Sequence, residues 1–355
     1  MSKGIHVIGS GSYAVQISIV TNFLYSWSMP KDNPYRPFKP DPAQLACAPD
    51  ISGNSINGLG ETGFRQPDIV YWSPNPDDIP RGKLQRWFYS VNPDDPSMAA
   101  RRAERQKVLD EPLPDIAATR ISQSPEQWTA ELTQFVDCGL CEQVGVTKLD
   151  PDWFFKGHHS DFANIIVLGV QHDYDAIAKA PLPEAGAEVI HQYGRGAMVA
   201  KRLAGWLRRL GWDAEPVTGP MAGKITLIPP AMACGFGELG KHGSLITPEM
   251  GASFRLAAVL TDAPFAPTRP ADHGIDSFCM NCRVCEDACP PEAIIEHKQT
   301  VRGESKWYVD FDKCLPFFNQ THGCAICIAV CPWSRPGVGP KLAEKLARRA
   351  ERLAD

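Results

Sequence analysis

The middle of the chain alternates between helical and strand-like hydrophobic patterns. A capping box at Ser124, with proline next to it, predicts a helix that begins at Pro125. The continuous apolar run of residues 164–170 predicts a buried strand. Gly211 is expected to end a second helix, and a short strand is predicted over residues 212–217. The apolar positions at helical spacing are Trp128, Leu132, Phe135 and Val136 in the first helix and Val199, Leu203, Trp206, Leu207 and Leu210 in the second.

The two ends of the chain have less regular patterns. The first 120 residues are rich in Pro, Gly, Asn and Asp, which predicts irregular loops and short elements. Within them, residues 6–14 (HVIGSGSYA) have glycines spaced as in dinucleotide-binding loops. No clear βαβ unit follows, so a tight turn is the preferred interpretation. After Pro340 the pattern predicts a last helix that packs back on the body, with Leu342, Leu346, Ala350 and Leu353 on one face.

Composition and charge narrow the class of protein. The chain has 355 residues, of which 43% are hydrophobic and 22% charged, as in globular proteins with a real core. Its net charge of −5 argues against a nucleic-acid partner. We expect a cytoplasmic protein without an integral membrane segment, because neither an export signal nor a long apolar stretch is found. The basic face of the second helix is expected to be solvated, or alternatively to guide an acidic electron donor: Lys201, Arg202, Arg208 and Arg209.

Twelve cysteines are the unusual feature of the composition, and eight of them fall between Cys279 and Cys331. A disulfide-stapled protein would spread its pairs along the chain, so this grouping points to metal. Residues 279–290 have the C-x2-C-x2-C-x3-C-P spacing of bacterial ferredoxins, and a second set ends similarly at Pro332. Three cysteines of such a run hold one [4Fe–4S] cluster, and the one before proline ligates the other cluster. The spacing assigns Cys279, Cys282, Cys285 and Cys331 to one cluster and Cys314, Cys324, Cys327 and Cys289 to the second.

The paired runs favour iron–sulfur clusters over zinc, because both sets end in Cys-Pro. Two neighbouring clusters imply a one-electron relay, so the centre that they reduce should lie in the preceding part of the chain. The four other cysteines have no argued function. Cys138 and Cys141 are expected to form a buried structural pair on the continuation of the first helix. Cys47 and Cys234 are expected to be small buried residues.

A series of motifs links the α/β region to the cysteines. Residues 233–255 are ACGFGELGKHGSLITPEMGASFR, residues 259–265 are VLTDAPF, and the ferredoxin runs follow. In this order the motifs resemble corrinoid-dependent reductive dehalogenases over about residues 125–335. The related epoxyqueuosine reductases, which modify tRNA, share the corrinoid core, the glycine-rich loop and two clusters, and are the main alternative. A dicluster electron-transfer protein without a substrate of its own is the other alternative.

The resemblance implies an α+β fold and a set of cofactor contacts. We expect a nitroreductase-like α/β core that binds base-off cobalamin, and a C-terminal bacterial 2[4Fe–4S] ferredoxin-like domain. The expected parts are residues 1–120, covering the pocket, residues 121–268, the corrinoid core, residues 269–336, the dicluster domain, and residues 337–355, the C-terminal helix. In the corrinoid core, glycines at positions 235, 237, 240 and 243 would let the backbone approach the large flat ring of the corrinoid. The expected cobalamin contacts are Gly235, Phe236, Gly237, Lys241, His242, Gly243 and Ser244.

Aromatic residues of the first part are expected either to line the pocket or to pack in the core: Trp72, Trp87, Phe88 and Tyr89.

Two residues match the catalytic pair of the dehalogenases. Tyr193, in HQYGRG, matches the tyrosine that delivers a proton to the substrate carbon, and Arg255, in GASFR, matches the cation beside it. Replacing a carbon–halogen bond by carbon–hydrogen requires two electrons and one proton. A neighbouring cation stabilises the phenolate that remains when tyrosine gives up its proton. The resemblance therefore implies a small organohalide substrate and a ferredoxin or flavodoxin as electron donor.

Two family features are absent from the chain. Some dehalogenases carry an asparagine shortly after the segment that matches residues 211–214, and here Thr218 and Gly219 follow instead. Substrate contacts at that point therefore stay open. Epoxyqueuosine reductases have an aspartate proton donor in a V-D-x-x-P segment, whereas residues 217–220 are VTGP. The missing acid favours the dehalogenase over the tRNA-modifying enzyme.

Overall fold

The structure is a computed structural model that describes residues 33–91, 95–219 and 223–354. The chain divides into a unit of Met1–Arg36 and a unit of Pro37–Asp355, and every element below belongs to the second. The tight turn predicted at residues 6–14 lies outside the described residues. Helices and strands are mixed along the chain, so the predicted α+β class is confirmed.

Short helices and strands surround one long helix. The described helices are α1 (Pro42–Leu45), α2 (Gly53–Asn57), α3 (Gly82–Val91), α4 (Pro96–Asp110), α5 (Pro125–Glu131), α6 (Thr133–Asp137), α7 (Tyr174–Ile177), α8 (Pro183–Arg209), α9 (Ile228–Ala233), α10 (Ile275–Asn281), α11 (Val284–Ala288), α12 (Phe311–Gln320), α13 (Ile326–Ala329) and α14 (Gly339–Ala354). The described strands are β1 (Gln143–Lys148), β2 (Asn164–Gln171), β3 (Ala214–Val217), β4 (Glu238–Leu239), β5 (Leu245–Ile246), β6 (Phe254–Thr261), β7 (Gln299–Val301) and β8 (Glu304–Lys306). Among these helices, none has both the length and the apolar surface needed to cross a bilayer.

Four antiparallel strands form the central sheet in the order β1-β2-β6-β3. The central pair places Ile166 opposite Val259, and β2 is buried along nearly its whole length. Side chains alternate between the two faces of a strand. Ile166 therefore packs in one hydrophobic core, whereas Ile165 and Val167 pack in a second. A strand that is buried on both faces needs apolar residues at every position, which explains the continuous run that predicted it.

The two predicted helices of the core form, with differences at their ends. The reciprocal bonds of the capping box between Ser124 and Gln127 are present, but the helix is interrupted at Leu132 and continues as α6. α8 runs for 27 residues and ends before Gly211, whose φ of +82° is left-handed. The strand that follows begins at Ala214, two residues later than predicted.

The N-terminal third is more regular than predicted, because α3 and α4 lie in it. The Asp95 carboxylate caps α4 by accepting the N–H of Met98, and a proline occupies the first helical position. The body of α4 (SMAARRAERQKVLD) is rich in alanine, arginine and glutamate, which favour helix. The prolines and glycines that dominated the composition lie mostly between the elements.

The basic face of α8 is partly covered by the chain that follows α4. Lys201 Nζ donates to backbone carbonyl oxygens at the end of α4, and Arg208 Nε donates to the carbonyl oxygen of Pro114 at 2.7 Å. Arg202 and Arg209 are exposed. The expectation of a fully solvated face is therefore corrected, since two of its four cations bind backbone.

The cysteine-bearing part is built from short helices and a hairpin. α10 and α11 lie in the first cysteine run, the β7–β8 hairpin follows, and α12 and α13 carry Cys314 and Cys327 of the second. Leu342 and Leu346 of α14 pack against the hydrophobic cluster that contains Ile275 and Trp333. The C-terminal helix therefore packs back on the body, as predicted.

Residues 42–91 pack on this cysteine-bearing part. Asp312 of α12 accepts the N–H of Gly53 and the guanidinium of Arg81, each at 2.8 Å. Trp72 and Phe88 pack with Phe318, also from α12. These two aromatic residues therefore follow the core-packing alternative.

Candidate active site and cysteine quartets

Tyr193 and Arg255 lie side by side, although they come from different elements. Tyr193 projects from α8 and Arg255 from the start of β6, and the guanidinium carbon lies 5.0 Å from the centre of the tyrosine ring. The helix approaches the strand closely because of Gly196, one turn after Tyr193. A Cβ at that position would lie 3.3 Å from the Cβ of Ala257. The structure thus brings the predicted pair together through the packing of α8 on β6.

The pair lines a cavity of about 260 Å³, called the small cavity below. Ser244 supplies a further polar group. Apolar residues form most of the wall, including Phe155, Val217, Ile225, Leu227, Ile228, Leu245, Phe254 and Leu256. An apolar chamber with a few convergent polar groups is typical of a small-molecule site.

His172, which the sequence analysis did not select, lies close to Arg255. It follows β2 directly and is buried, with Nδ1 3.1 Å from Ser253 Oγ. Burial, together with the Arg255 charge, holds the pKa of His172 well below its usual value, so the ring is neutral. Its Nε2 has no hydrogen-bond partner among the described residues. A polar residue at the end of a buried strand was the signal that could have revealed it.

Arg105 brings a second cation from α4 towards Tyr193. Its guanidinium donates to the carbonyl oxygen of Gly219, a residue of the small cavity, at 2.7 Å. Burial lowers the pKa of Arg105, and the hydroxyls of Tyr193 and Tyr89 oppose this effect. No sequence signal pointed to Arg105, because this region was predicted to consist of irregular loops and short elements. The N-terminal third therefore contributes to the surroundings of the small cavity.

A second cavity, of about 1110 Å³, adjoins the first and is called the large cavity. Ile228 lines both cavities, and His242 and Gly243 of the large cavity directly precede Ser244 of the small one. Its volume exceeds the usual range for drug-sized ligands and is suited to a large cofactor. Four cysteines line it as well: Cys289, Cys314, Cys324 and Cys327.

His242 lines the large cavity, and its ring carries a buried hydrogen-bond donor. The N–H of Ser244 donates to His242 Nδ1 at 3.2 Å, so the neutral ring carries its hydrogen on Nε2. Burial lowers the pKa of His242 to about 4, and Nε2 has no partner within the described parts of the chain. A buried N–H of this kind requires an acceptor, which an amide or phosphate oxygen of a bound cofactor would supply.

The first residues of the glycine-rich loop face the protein itself. A Cβ on Gly235 would lie 2.2 Å from the carbonyl oxygen of Arg269, and one on Gly237 would lie 1.9 Å from that of Ile246. Phe236 is fully buried in a hydrophobic core. Close packing of backbone on backbone, rather than approach to a flat ring, therefore explains these two glycines. The three residues are not among those that line the two described cavities.

Lys241 is buried beside a cysteine instead of facing a cavity. Its Nζ lies 3.4 Å from the Glu286 carboxylate and 5.3 Å from the centre of a Trp307 ring. The backbone and charge of Lys241 both lower the pKa of the Cys279 thiol, although burial dominates and raises it to about 11. Lys241 is therefore placed to offset negative charge at the cysteines.

The structure brings four cysteines together as the first quartet, defined as Cys279, Cys282, Cys285 and Cys331. Burial raises the pKa of Cys285, and the three other thiols of the quartet add to this effect. Burial likewise raises the pKa of Cys331 to about 12, with Cys279 and Cys282 as its neighbours. Thiols that are costly to ionise alone become thiolates when they bind a metal, so such groups are typical metal ligands.

The second quartet consists of Cys289, Cys314, Cys324 and Cys327. Burial raises the pKa of Cys327 well above its usual range, and the three other thiols of the quartet contribute, as does Cys285. The two quartets therefore adjoin. Throughout the described ranges, no three His, Cys, Asp or Glu side chains are grouped as ligands of a single metal ion. The thiols that influence one another's pKa nevertheless include the partners that the spacing predicts.

The remaining cysteines lie apart from the quartets. Cys138 is exposed after the end of α6, while Cys141 is buried just before β1, so the prediction of a buried pair on one helix is wrong. The chain turns between them at Gly139, whose φ is +69°. Cys234 is buried in a hydrophobic core as expected, and Cys47 is half-buried.

Comparison with known families defines the class of the protein. Residues 278–334 match the family described as 4Fe-4S dicluster domain. The chain therefore contains a ferredoxin-like dicluster domain that follows a mixed helix and strand core, as predicted from the spacing of the cysteines.

The chain is similar to reductive dehalogenases, which confirms the resemblance inferred from the motifs. The tetrachloroethene reductive dehalogenase of Desulfitobacterium hafniense is 34% identical over 219 residues, covering 58% of this chain and 39% of that protein. This chain thus spans about two fifths of the length of the first curated relatives. The solved structure of the catabolic reductive dehalogenase NpRdhA, in complex with 3-bromo-4-hydroxybenzoic acid, shares the fold. Its TM-score is 0.69 at 21% identity, covering 81% of this chain and 44% of that one.

Epoxyqueuosine reductases are also similar to this chain. The protein of Synechococcus sp. (strain CC9605) is 27% identical over 267 residues, which cover 65% of this chain and 75% of that protein. The relation inferred from the shared motifs is confirmed by this match.

Proposed function

We propose that this chain is a reductive dehalogenase that replaces a carbon–halogen bond by carbon–hydrogen in a small organohalide. The observation that carries the proposal is the Tyr193–Arg255 pair, in a small cavity that adjoins a large, cysteine-lined one. The proton donor, the substrate, the cofactor and the electron path then each have a place in one continuous region.

A corrinoid fits the large cavity in size and in the chemistry of its wall. His242 offers a buried Nε2–H without an acceptor in the described chain, and Gly243 lies next to it on the cavity wall. These residues would hold the cofactor, with Ser244 beside the substrate. When bound, a corrinoid supplies a low-potential metal centre for reduction of the carbon–halogen bond.

The eight cysteines of the two quartets would hold two [4Fe–4S] clusters, which supply one-electron transfer when bound. The second quartet lines the large cavity and adjoins the first. Lys241, buried beside Cys279, offsets part of the negative charge that four thiolates bring to the first quartet.

The small cavity performs the proton chemistry. The organohalide takes up two electrons and one proton, and it leaves as the reduced product and a halide ion. Tyr193 donates the proton to the carbon that loses the halogen, and the Arg255 guanidinium over the ring stabilises the remaining phenolate. The apolar wall suits an organohalide and excludes water that would compete as a proton source.

The test measures halide release from a panel of haloaromatics and haloalkenes. The protein is loaded with iron, sulfide and cobalamin and reduced with methyl viologen. We expect Tyr193→Phe to lower the rate at least ~100-fold, the usual scale of a lost general acid, with cluster and corrinoid spectra unchanged. Tyr174→Phe, at a tyrosine that is not among the residues lining the described cavities, should retain the rate. Full activity of Tyr193→Phe would remove Tyr193 from the mechanism.

Epoxyqueuosine reductase activity is the second candidate, because the chain covers 75% of the Synechococcus relative. The chain carries Thr218 and Gly219 where those enzymes carry their aspartate donor, so we expect no reduction of epoxyqueuosine in tRNA. Incubation of the same loaded protein with tRNA that contains epoxyqueuosine distinguishes the two activities. Product from the tRNA without halide release from any organohalide would replace the dehalogenase proposal.

A further inference from the structure

The two quartets differ in what surrounds them. All four cysteines of the second quartet line the large cavity, whereas those of the first are not among the residues lining either described cavity. The first quartet instead lies beneath an exposed segment, with Cys282 half-buried and its three other cysteines buried. Met280, between two of its cysteines, is 53% exposed, and the neighbouring Asn281 and Arg283 are also exposed. An electron can therefore enter at the first quartet and leave from the second.

A stripe of positive charge runs along α14, the helix that covers this part of the chain. On a helix, side chains that are three or four residues apart lie on the same face. The stripe consists of Lys341, Lys345, Arg348 and Arg352, all exposed. Arg348 pairs with Glu344, while no ion pair of Lys341 or Lys345 is found in the part of the chain that the structure describes.

Packing places α14, which carries the stripe, against the part of the chain that holds Cys279 of the first quartet. Leu342 and Leu346, which follow the two lysines in sequence, pack in the cluster that contains Cys279 and Ile275. Leu346 also contacts Gly274 at the start of α10: a Cβ there would lie 3.2 Å from the leucine Cβ. α14 therefore lies against the start of α10, the helix that contains Met280.

The charge of the stripe contrasts with that of the rest of the chain. Residues 341–352 contain five cations and two carboxylates, a net charge of +3, whereas the whole chain has −5. The other basic face, on α8, is less suitable because Lys201 and Arg208 are bound to backbone carbonyls. A local positive surface on an acidic protein attracts an acidic partner and raises its association rate.

We propose that Met280 and the basic stripe of α14 form the docking surface of a small acidic iron–sulfur protein that delivers electrons to the first quartet. In each encounter the donor is oxidised by one electron and the cluster held by the first quartet is reduced by one. Two encounters supply the two electrons of one dehalogenation. The inference rests on the proposed function in that the quartets hold clusters.

The test compares two charge reversals of equal size. Lys341→Glu/Lys345→Glu changes the stripe, and Arg202→Glu/Arg209→Glu changes exposed cations of α8. Stopped-flow bleaching of the cluster absorbance measures reduction by a reduced, acidic bacterial ferredoxin. We expect the stripe variant to react about tenfold more slowly at low salt, and at the wild-type rate near 1 M salt, where charges are screened. The α8 variant should react like the wild type.

A second readout locates the contact without catalysis. Carbodiimide joins carboxylates of the ferredoxin to lysines that lie against them, and we expect cross-links at Lys341 and Lys345. The docking surface is overturned if the wild type and the stripe variant react at equal rates. It is also overturned if both variants lose the same fraction of the rate while their clusters remain intact. Iron and acid-labile sulfide measurements show whether the clusters assemble. Their failure to assemble would overturn the proposed function and this inference together.

Discussion

Individual side chains at the site take their properties from burial. His242 and His172 are both buried histidines whose pKa burial lowers, and both are neutral at physiological pH. Neutral rings leave the positive charge near Tyr193 to Arg255 and Arg105. In His242, which lines the large cavity, the N–H of Ser244 also fixes which nitrogen carries the hydrogen, so the donor of the ring is Nε2–H.

The lowered pKa of His242 predicts a dependence of stability on pH. An unfolded histidine binds a proton near pH 6.5, but folded His242 does so only near pH 4. Between these values the unfolded state holds the extra proton, so the folded state loses stability as the pH falls. From pH 7.5 to 5.5, the free energy of unfolding should fall about 1 kcal/mol more for wild type than for His242→Asn.

Urea unfolding at a series of pH values measures this difference on protein without bound corrinoid. Asparagine keeps an acceptor for the Ser244 N–H and does not titrate, which makes it a matched replacement. The carboxylates and the other histidines, His172 included, are present in both proteins. Parallel curves for the two proteins would contradict the lowered pKa of His242.

At the scale of elements, the packing of α4 on α8 decides the surroundings of the pair. α4 supplies Arg105, and α8 supplies Tyr193 and the close approach at Gly196. The end of α4 is held by Lys201, which donates to the carbonyl oxygens of Val108, Leu109 and Glu111. A cation at a helix C-terminus satisfies carbonyls that lack a partner within the helix.

Replacement of Lys201 by methionine tests this contact. Methionine keeps most of the apolar stem but removes the charge and the hydrogen bonds. We expect Lys201→Met to lower the free energy of unfolding by about 1.5–3 kcal/mol, the range for hydrogen bonds to charged groups. Arg202→Met, at the exposed neighbouring position, should change it by less than about 0.5 kcal/mol. Urea denaturation measures both, and equal effects would show that Lys201 contributes no more than a surface charge.

At the scale of the molecule, the N-terminal third joins the two functional parts. Residues 42–91 pack on α12, while α4 packs on α8. Asp312 accepts hydrogen bonds from Ser52, Gly53 and Arg81, and the Arg81 side chain is only 3% exposed. The region predicted as loops around a pocket therefore holds the ferredoxin-like part.

Removal of this carboxylate tests how the N-terminal segment is held. Asp312→Ala leaves the buried Arg81 without its ion partner, and we expect a loss of about 3 kcal/mol in the free energy of unfolding. Asp77→Ala breaks the exposed pair with Arg86 and should cost less than about 1 kcal/mol. Thermal unfolding of the cluster-loaded protein measures the loss. Limited proteolysis should cut Asp312→Ala first within residues 42–91, and protection equal to wild type would contradict this role.

Patterns that depend on near neighbours were readable from the sequence. The capping box at Ser124, the buried run of β2 and the end of α8 at Gly211 follow from contacts within a few residues. The grouping of the cysteines also follows from spacing, because tight turns bring residues three apart around one point. Helix α4 was missed because prolines and glycines dominate the composition of the N-terminal third, and the regular pattern of α4 was therefore not recognised.

Contacts between distant segments depended on the tertiary structure. The motifs named Tyr193 and Arg255, but their 5.0 Å approach results from the packing of α8 on β6. The same holds for Gly235 and Gly237, which the backbone of other segments requires to be glycine. Hydrophobic periodicity states which face of an element is buried, but not which other element covers it. The sequence alone therefore determined the elements with strong local signals and the grouping of the cysteines, and only long-range packing decided which polar groups meet in the cavities.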